Sequence, residues 1–314
     1  MPTSPPRLRT ALLLIVLCLI AAACGDATPK AGDPASTPAT RPERTLKISA
    51  IPDQDPAKLA TINQAMATYL ADKLGVKVEF VPVTDYAASV SLFKTGDLDL
   101  VFFGGLTGVQ ARLQTPGAVL IAQRDIDAAF QSVFIASAAS GIQPIAEVGQ
   151  LAALKGRRFT FGSESSTSGR LMPEFFLDQA GLSSEKDLNG PPGYSGSHDK
   201  TIDLVQAGTY EAGALNLQVW KGRKDKGTVD LTKVTEVYTT PSYHDYHWIA
   251  GPKTNERFGA GFTDQLVKAF TEIDGADPAQ ATLLGLYGAK RFIPTNAWSY
   301  REIEQIGRKL KLIT

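Results

Sequence analysis

The chain has 314 residues, 32 basic and 32 acidic side chains, a formal charge of zero and 43% hydrophobic content. With no basic excess and no Lys/Arg cluster, it lacks the electrostatic footprint that binding to a phosphate backbone requires, so nucleic acid is excluded as a partner. Its two cysteines, Cys18 and Cys24, both lie near the N-terminus, so the body beyond residue 24 holds no disulfide.

Arg7 and Arg9 precede an unbroken apolar run from Ala11 to Ala23. That run is shorter than the roughly 20 apolar residues a transmembrane helix needs, and it reads as a secretory leader over residues 1–23. It closes on Ala21-Ala22-Ala23-Cys24, which resembles a bacterial lipobox, although Ala21 stands where Leu or Val is usual. Cys24 is then the expected lipid anchor and the first residue of the exported chain; an ordinary leader with an incidental cysteine is the alternative. Residues 24–44 are Pro, Ala, Thr, Asp and Lys with almost no large apolar side chain, a composition that predicts a flexible tether.

The remaining residues, about 270 of them, suit two domains of ordinary size. Apolar spacing predicts a strand over 46–51, a helix over 57–74 and a strand over 76–81. A helix over 86–94, a strand over 98–103, a short helix over 106–113 and a strand over 119–122 follow. The pattern then restarts, with a strand over 132–136, a helix over 145–154, a strand over 158–162, helices over 171–180 and 200–207 and a strand over 212–217. A run at 248–250 leads into helices over 263–272 and 298–310. Such alternation predicts an α/β fold of mostly parallel sheets in two lobes. Residues 45–132 and 250–314 form lobe 1, residues 133–249 form lobe 2, and the chain crosses near Val133 and near Ile249. A ligand belongs in the cleft between them.

Gly162 to Gly169 reads GSESSTSG between a predicted strand and a predicted helix. The hydroxyls of Ser165, Ser166, Thr167 and Ser168, with the amides of a helix N-terminus, are the convergent neutral donors an oxyanion needs. Pro173 has no amide to donate, so regular helical bonding starts near it. The bland alternative is that these residues are helix caps. His198 stands just before a predicted helix and reads as a surface or capping residue, and Tyr86, after Asp85, as core packing or a phenol that reaches an anion across a cleft.

Enzyme chemistry finds no G-x-S-x-G, P-loop or H-E-x-x-H pattern, and nothing points to a cofactor. A metal site would draw on His198, His244 and His247. The last pair are three apart at a predicted strand edge, where alternate side chains face opposite ways, so they meet one ion only across a turn.

Several segments together resemble the phosphonate-binding type of periplasmic solute-binding protein. They are Ile51-Pro52 with Asp55-Pro56, Thr84-Asp85-Tyr86-Ala87-Ala88, Gly96-Asp97-Leu98-Asp99-Leu100, Ser166-Thr167-Ser168-Gly169 with Leu171 and Pro173, Gly196-Ser197-His198, and Asp245. Phe103 to Gly108 and Arg124 to Asp127 are similar to segments of members labelled as selenate-binding. The resemblance covers the chain from about Leu46 onward. It implies a type II two-lobe fold and capture of a small oxyanion, phosphonate, phosphite or a selenate- or selenite-type anion, for delivery to the permease and ATPase of an ABC importer. Tyr86, His198 and Asp245 are implied as ligand contacts beside the serine-rich loop.

An ionised Asp245 only accepts hydrogen bonds, so it selects an anion that still carries a proton, such as phosphite or phosphonate, over sulfate or selenate. Two departures bear on ligand size. Gln218 stands where members taking aminoalkyl phosphonates offer a Glu to the amine, and Phe130-Gln131 stands where the family often has a second ligand Tyr. Both imply a small ligand without an amine.

Overall fold

The computed structural model describes residues 44–313. The expected leader, Cys24 and the tether as far as residue 43 lie outside the described residues. The body opens with β1 (Thr45–Ala50) and α1 (Pro56–Leu74). Asp55 caps α1 by accepting the amides of Ala57 and Lys58, and Gly75, at φ 65°, ends it in the left-handed conformation that favours glycine. Then come β2 (Lys77–Phe80), α2 (Tyr86–Thr95), β3 (Leu100–Phe103), α3 (Gly105–Gln114), β4 (Val119–Arg124) and β5 (Ser132–Ser137).

The middle of the chain supplies β6 (Phe159–Phe161), α4 (Met172–Gln179), β7 (Gly193–Tyr194), α5 (His198–Gln206), β8 (Ala212–Asn216), α6 (Leu217–Asp225) and β9 (Val234–Thr239). The last part adds β10 (His247–Ala250), α7 (Thr254–Phe258), α8 (Phe262–Thr271), α9 (Pro278–Leu286), β11 (Phe292–Ile293) and α10 (Arg301–Lys309).

One sheet has the order β11-β4-β10-β3-β1-β2 and the other β7-β6-β8-β5-β9. The expectation of mostly parallel sheets needs correcting, because both are mixed: β1 pairs in parallel with β2 and β3, while β10 runs antiparallel between β3 and β4. In the second sheet β5 is likewise antiparallel to β8 and β9. The reason is the crossing itself. A segment that arrives from the other lobe enters at the cleft, so its strand starts where β1, β3 and β8 end. The return path runs through residues 240–246, before His247 rather than near Ile249, since β10 already belongs to the first sheet.

Residues 145–154 form a 3-10 turn only over Val148–Leu154. Val148, Leu151 and Leu154 are three apart, the period of that tighter helix. The run 133–136 is apolar throughout because β5 buries both faces: Val133 and Ile135 enter one core with Ile202 and Trp220, while Phe134 and Ala136 enter the other with Phe159 and Phe161.

Candidate functional site

The carboxyl ends of β1, β3, β6 and β8 and the starts of β5 and β10 converge on the space between the sheets. From lobe 2, β6 runs into a turn in which the Ser166 amide donates to the Ser163 carbonyl at 3.0 Å. A widened turn, Thr167–Leu171, then precedes α4, and the Leu171 amide reaches back to the Ser166 carbonyl at 2.9 Å. This places the hydroxyls before the first regular α-helical bonds, near Pro173. Ser166, Thr167 and Ser168 are buried. Ser165 is half-buried, and among the described residues no hydrogen bond joins its hydroxyl to the others.

The flanking glycines have a steric purpose. The Gly162 amide donates to the Gly169 carbonyl at 2.8 Å. A Cβ on Gly169 would lie 2.9 Å from Ser166 Oγ, 3.1 Å from Gly162 Cα and 3.2 Å from His198 Cε1.

His198 is the first residue of α5 and is fully buried. Its amide donates across the lobes to the Asp53 carbonyl at 2.9 Å. The Asn216 amide donates to Nδ1 at 3.4 Å, so the proton sits on Nε2, which lies 3.4 Å from the Tyr246 hydroxyl. Burial lowers its pKa and keeps the ring neutral, a donor without a charge.

Lobe 1 contributes Tyr86, and the return crossing contributes Asp245. Asp85 caps α2 by accepting the Ala88 amide at 2.8 Å, which fixes Tyr86 as the first helical residue, 2% exposed. Burial pushes its phenol well above the usual range, with Asp53 adding to the effect and the nearby Ser166 hydroxyl opposing it. Asp245 lies on the return crossing and one carboxylate oxygen, Oδ1, accepts the Gly105 amide at 2.8 Å at the start of α3. The next amide, Leu106, donates to Thr167 Oγ1 of the opposite lobe at 2.9 Å. Burial raises the Asp245 carboxyl to about 7 despite the Gly105 bond, and Asp127 nearby adds to the rise.

Three polar atoms brought to this one place are buried without a hydrogen-bond partner: Tyr86 Oη, Ser168 Oγ and Asp245 Oδ2. They come from both lobes, and each such group costs roughly 1–3 kcal/mol when nothing satisfies it. The Arg124 guanidinium, which draws the Asp245 carboxyl downward, is paired with Asp127 at 2.6 Å.

Sequence reasoning missed several members of the site. Tyr243 bridges Phe130 across the crossings, and its hydroxyl lies 2.6 Å from Ser132 Oγ, which donates to the Ser168 carbonyl at 2.8 Å. A phenol therefore does stand beside Phe130, supplied by the other crossing. Tyr243 and Asp245 are two apart on an extended segment and share a face, a signal readable once Asp245 is singled out. Tyr246 points the other way, donating to Asp53 Oδ2 at 2.7 Å and accepting from Asn216 Nδ2 at 3.2 Å. Behind that wall lies an interlobe cavity of about 480 Å³, lined by Gln218, Lys58, Lys226, Asn63 and Asp53 among others. A carboxylate, Asp53, thus does line the space near Gln218, although Tyr246 engages it.

His244 and His247 both pack against Tyr300, with ring centroids 5.9 and 3.8 Å from its own. Among the described residues no group of three or more His, Cys, Asp or Glu side chains is placed to hold a metal ion.

A family model described as ABC transporter, phosphonate, periplasmic substrate-binding protein matches residues 48–300. The chain is 45% identical over 278 residues, 88% of its length and 94% of the other's, to a probable ABC transporter phosphite binding protein, PhnD1, of Prochlorococcus marinus (strain MIT 9301). A solved structure of PhnD1 from that organism in complex with methylphosphonate superposes with a TM-score of 0.84 at 46% identity, covering 86% of this chain and 99% of that one. A phosphate-import protein, PhnD, of Mycolicibacterium smegmatis is 28% identical over 271 residues, 82% of each chain.

Proposed function

The chain belongs to the family of periplasmic phosphonate-binding proteins of ABC transporters, and on that premise we propose that it captures phosphite or a small phosphonate such as methylphosphonate between its lobes. Tyr86 Oη, Ser168 Oγ and Asp245 Oδ2, three buried polar atoms without partners, are the observation that carries this reading. Two hydroxyls and a carboxyl oxygen suit a tetrahedral anion that shares one proton with a carboxyl group. With Asp245 at about 7, that proton resides on the carboxyl or on the anion according to pH. The hydroxyls of Ser166 and Thr167, the phenol of Tyr86 and Nε2 of His198 complete the donor set, and Ser165 stands at its edge.

A selenate-type anion in the same role fits less well. Selenate has no proton at neutral pH, so Asp245 must supply it, and that capacity is lost as the pH rises through about 7. A thermal-shift panel of phosphite, methylphosphonate, phosphate, selenate, selenite, sulfate and divalent metals tests the assignment. At a ligand concentration of 100 Kd, binding adds about 2.7 kcal/mol of stability, so phosphite or methylphosphonate is expected to give the largest rise in midpoint. A larger rise with selenate, or with a metal ion alone, overturns it.

The same reading makes the protein the capture component of an importer whose permease and ATPase are its partners. It works outside the membrane, held by a lipid on Cys24, since the small residues Ala21 to Ala23 lead directly into that thiol. Cys24→Ser is expected to release the protein into the soluble fraction with methylphosphonate affinity unchanged. Retention of that variant on membranes would sink the anchor.

A further inference from the structure

His247 and His244 entered as possible metal ligands, and the structure gives His247 a different surrounding. It opens β10, is 1% exposed, and its ring stacks on Tyr300 with centroids 3.8 Å apart. Its Nδ1 lies 3.1 Å from the carbonyl oxygen of Asp245. A carbonyl only accepts, so Nδ1 carries the proton and donates. Burial pushes the ring down to about 3, which keeps it neutral across the working range, and the carbonyl fixes the tautomer.

The ring also seats against α3. A Cβ on Gly108 would lie 2.3 Å from His247 Cε1, so glycine in the first turns of α3 leaves the space the imidazole fills. The same helix presents the Gly105 amide to Asp245 Oδ1, and the Asp245 amide is held by the Asp127 carbonyl at 3.1 Å. The peptide units on both sides of Asp245 are therefore fixed, one by Asp127 and the other by His247, while its Oδ2 remains unpartnered.

We infer that His247 is a positioning residue for ligand capture: its Nδ1–H bond to the Asp245 carbonyl, braced by Tyr300 and Gly108, aims the Asp245 carboxyl at the bound anion. This rests on the reading of Asp245 as a ligand contact. The residue touches no ligand itself and acts through its neighbour's backbone.

Two substitutions separate the hydrogen bond from packing. His247→Phe keeps a ring on Tyr300 and removes the donor; His247→Asn loses the ring and keeps an N–H near the position of Nδ1. Calorimetric titration with methylphosphonate is expected to show affinity about three- to tenfold weaker in His247→Phe and close to wild type in His247→Asn, as loss of one hydrogen bond requires. Because the effect passes through Asp245, adding His247→Phe to Asp245→Asn should weaken binding no further. Equal binding by His247→Phe and wild type, a weaker His247→Asn, or fully additive losses in the double variant would each overturn the inference. If Asp245→Asn alone binds like wild type, the failure lies in the reading of the site. If it weakens binding and His247→Phe does not, the failure is that of His247 alone.

Discussion

Asp245→Asn is expected to weaken phosphite and methylphosphonate by about 1.5–3 kcal/mol, roughly ten- to a hundredfold, the range for a hydrogen bond with a charged partner. The same substitution should strengthen selenate and sulfate above pH 7, because the amide donates permanently where the carboxylate can only accept. Titrations of both proteins at pH 8 with phosphite and selenate measure the swing in preference. Unchanged affinity for both anions would remove Asp245 from the site.

The ligand-free protein gives an independent readout. The folded carboxyl sits at about 7 against an ordinary value of 3.8, so the folded state holds its proton more tightly than the unfolded state does. Its contribution is therefore fully present below pH 4 and is lost as the pH rises through about 7, by an amount on the order of 4 kcal/mol. Asp245→Asn has no proton to lose. Its midpoint should gain on wild type steadily between pH 4 and 7 and level off above, and a difference that is flat with pH would contradict the buried carboxyl.

Thr167→Val carries the second large effect. Its hydroxyl accepts the Leu106 amide of the opposite lobe at 2.9 Å and lies beside Asp245, whose carboxyl it draws downward. Valine keeps the shape, deletes the hydroxyl and leaves a buried amide unsatisfied, which costs about 1–3 kcal/mol. Because that bond joins the lobes, the loss should appear in methylphosphonate affinity, with Thr167→Ser close to wild type. Ser166→Ala is expected to weaken binding by a similar amount, since that hydroxyl caps the turn by accepting the Gly169 amide at 2.9 Å. Normal affinity in both Thr167→Val and Ser166→Ala would take the loop out of the site.

Much of this is written in local sequence. Asp55-Pro56 and Asp85-Tyr86 place the starts of α1 and α2 within a residue because a carboxylate capping free amides is a local interaction. The run Gly162 to Gly169 announces its donors for the same reason, hydroxyls packed into a turn ahead of a helix. Ser132 to Ala136 is legible as a buried strand because burial on both faces leaves no polar alternation. The direction of that strand was not legible: pairing is set by where the chain re-enters a lobe, and apolar periodicity is the same for either direction.

The sequence by itself determined the two-lobe α/β organisation, and it singled out the serine-rich loop and, through resemblance, Tyr86, His198 and Asp245 as candidates. Only the tertiary structure decided that Tyr243 stands beside Phe130, that Tyr246 is hydrogen-bonded to Asp53 and Asn216, and that the His247 ring donates to the Asp245 carbonyl. Those relations join residues more than a hundred positions apart, as Gly105 and Asp245 are, or depend on which face a crossing segment turns inward. Long-range contacts of that kind are fixed by how the lobes pack, and a carboxyl near 7 exists only once packing has removed the water around it.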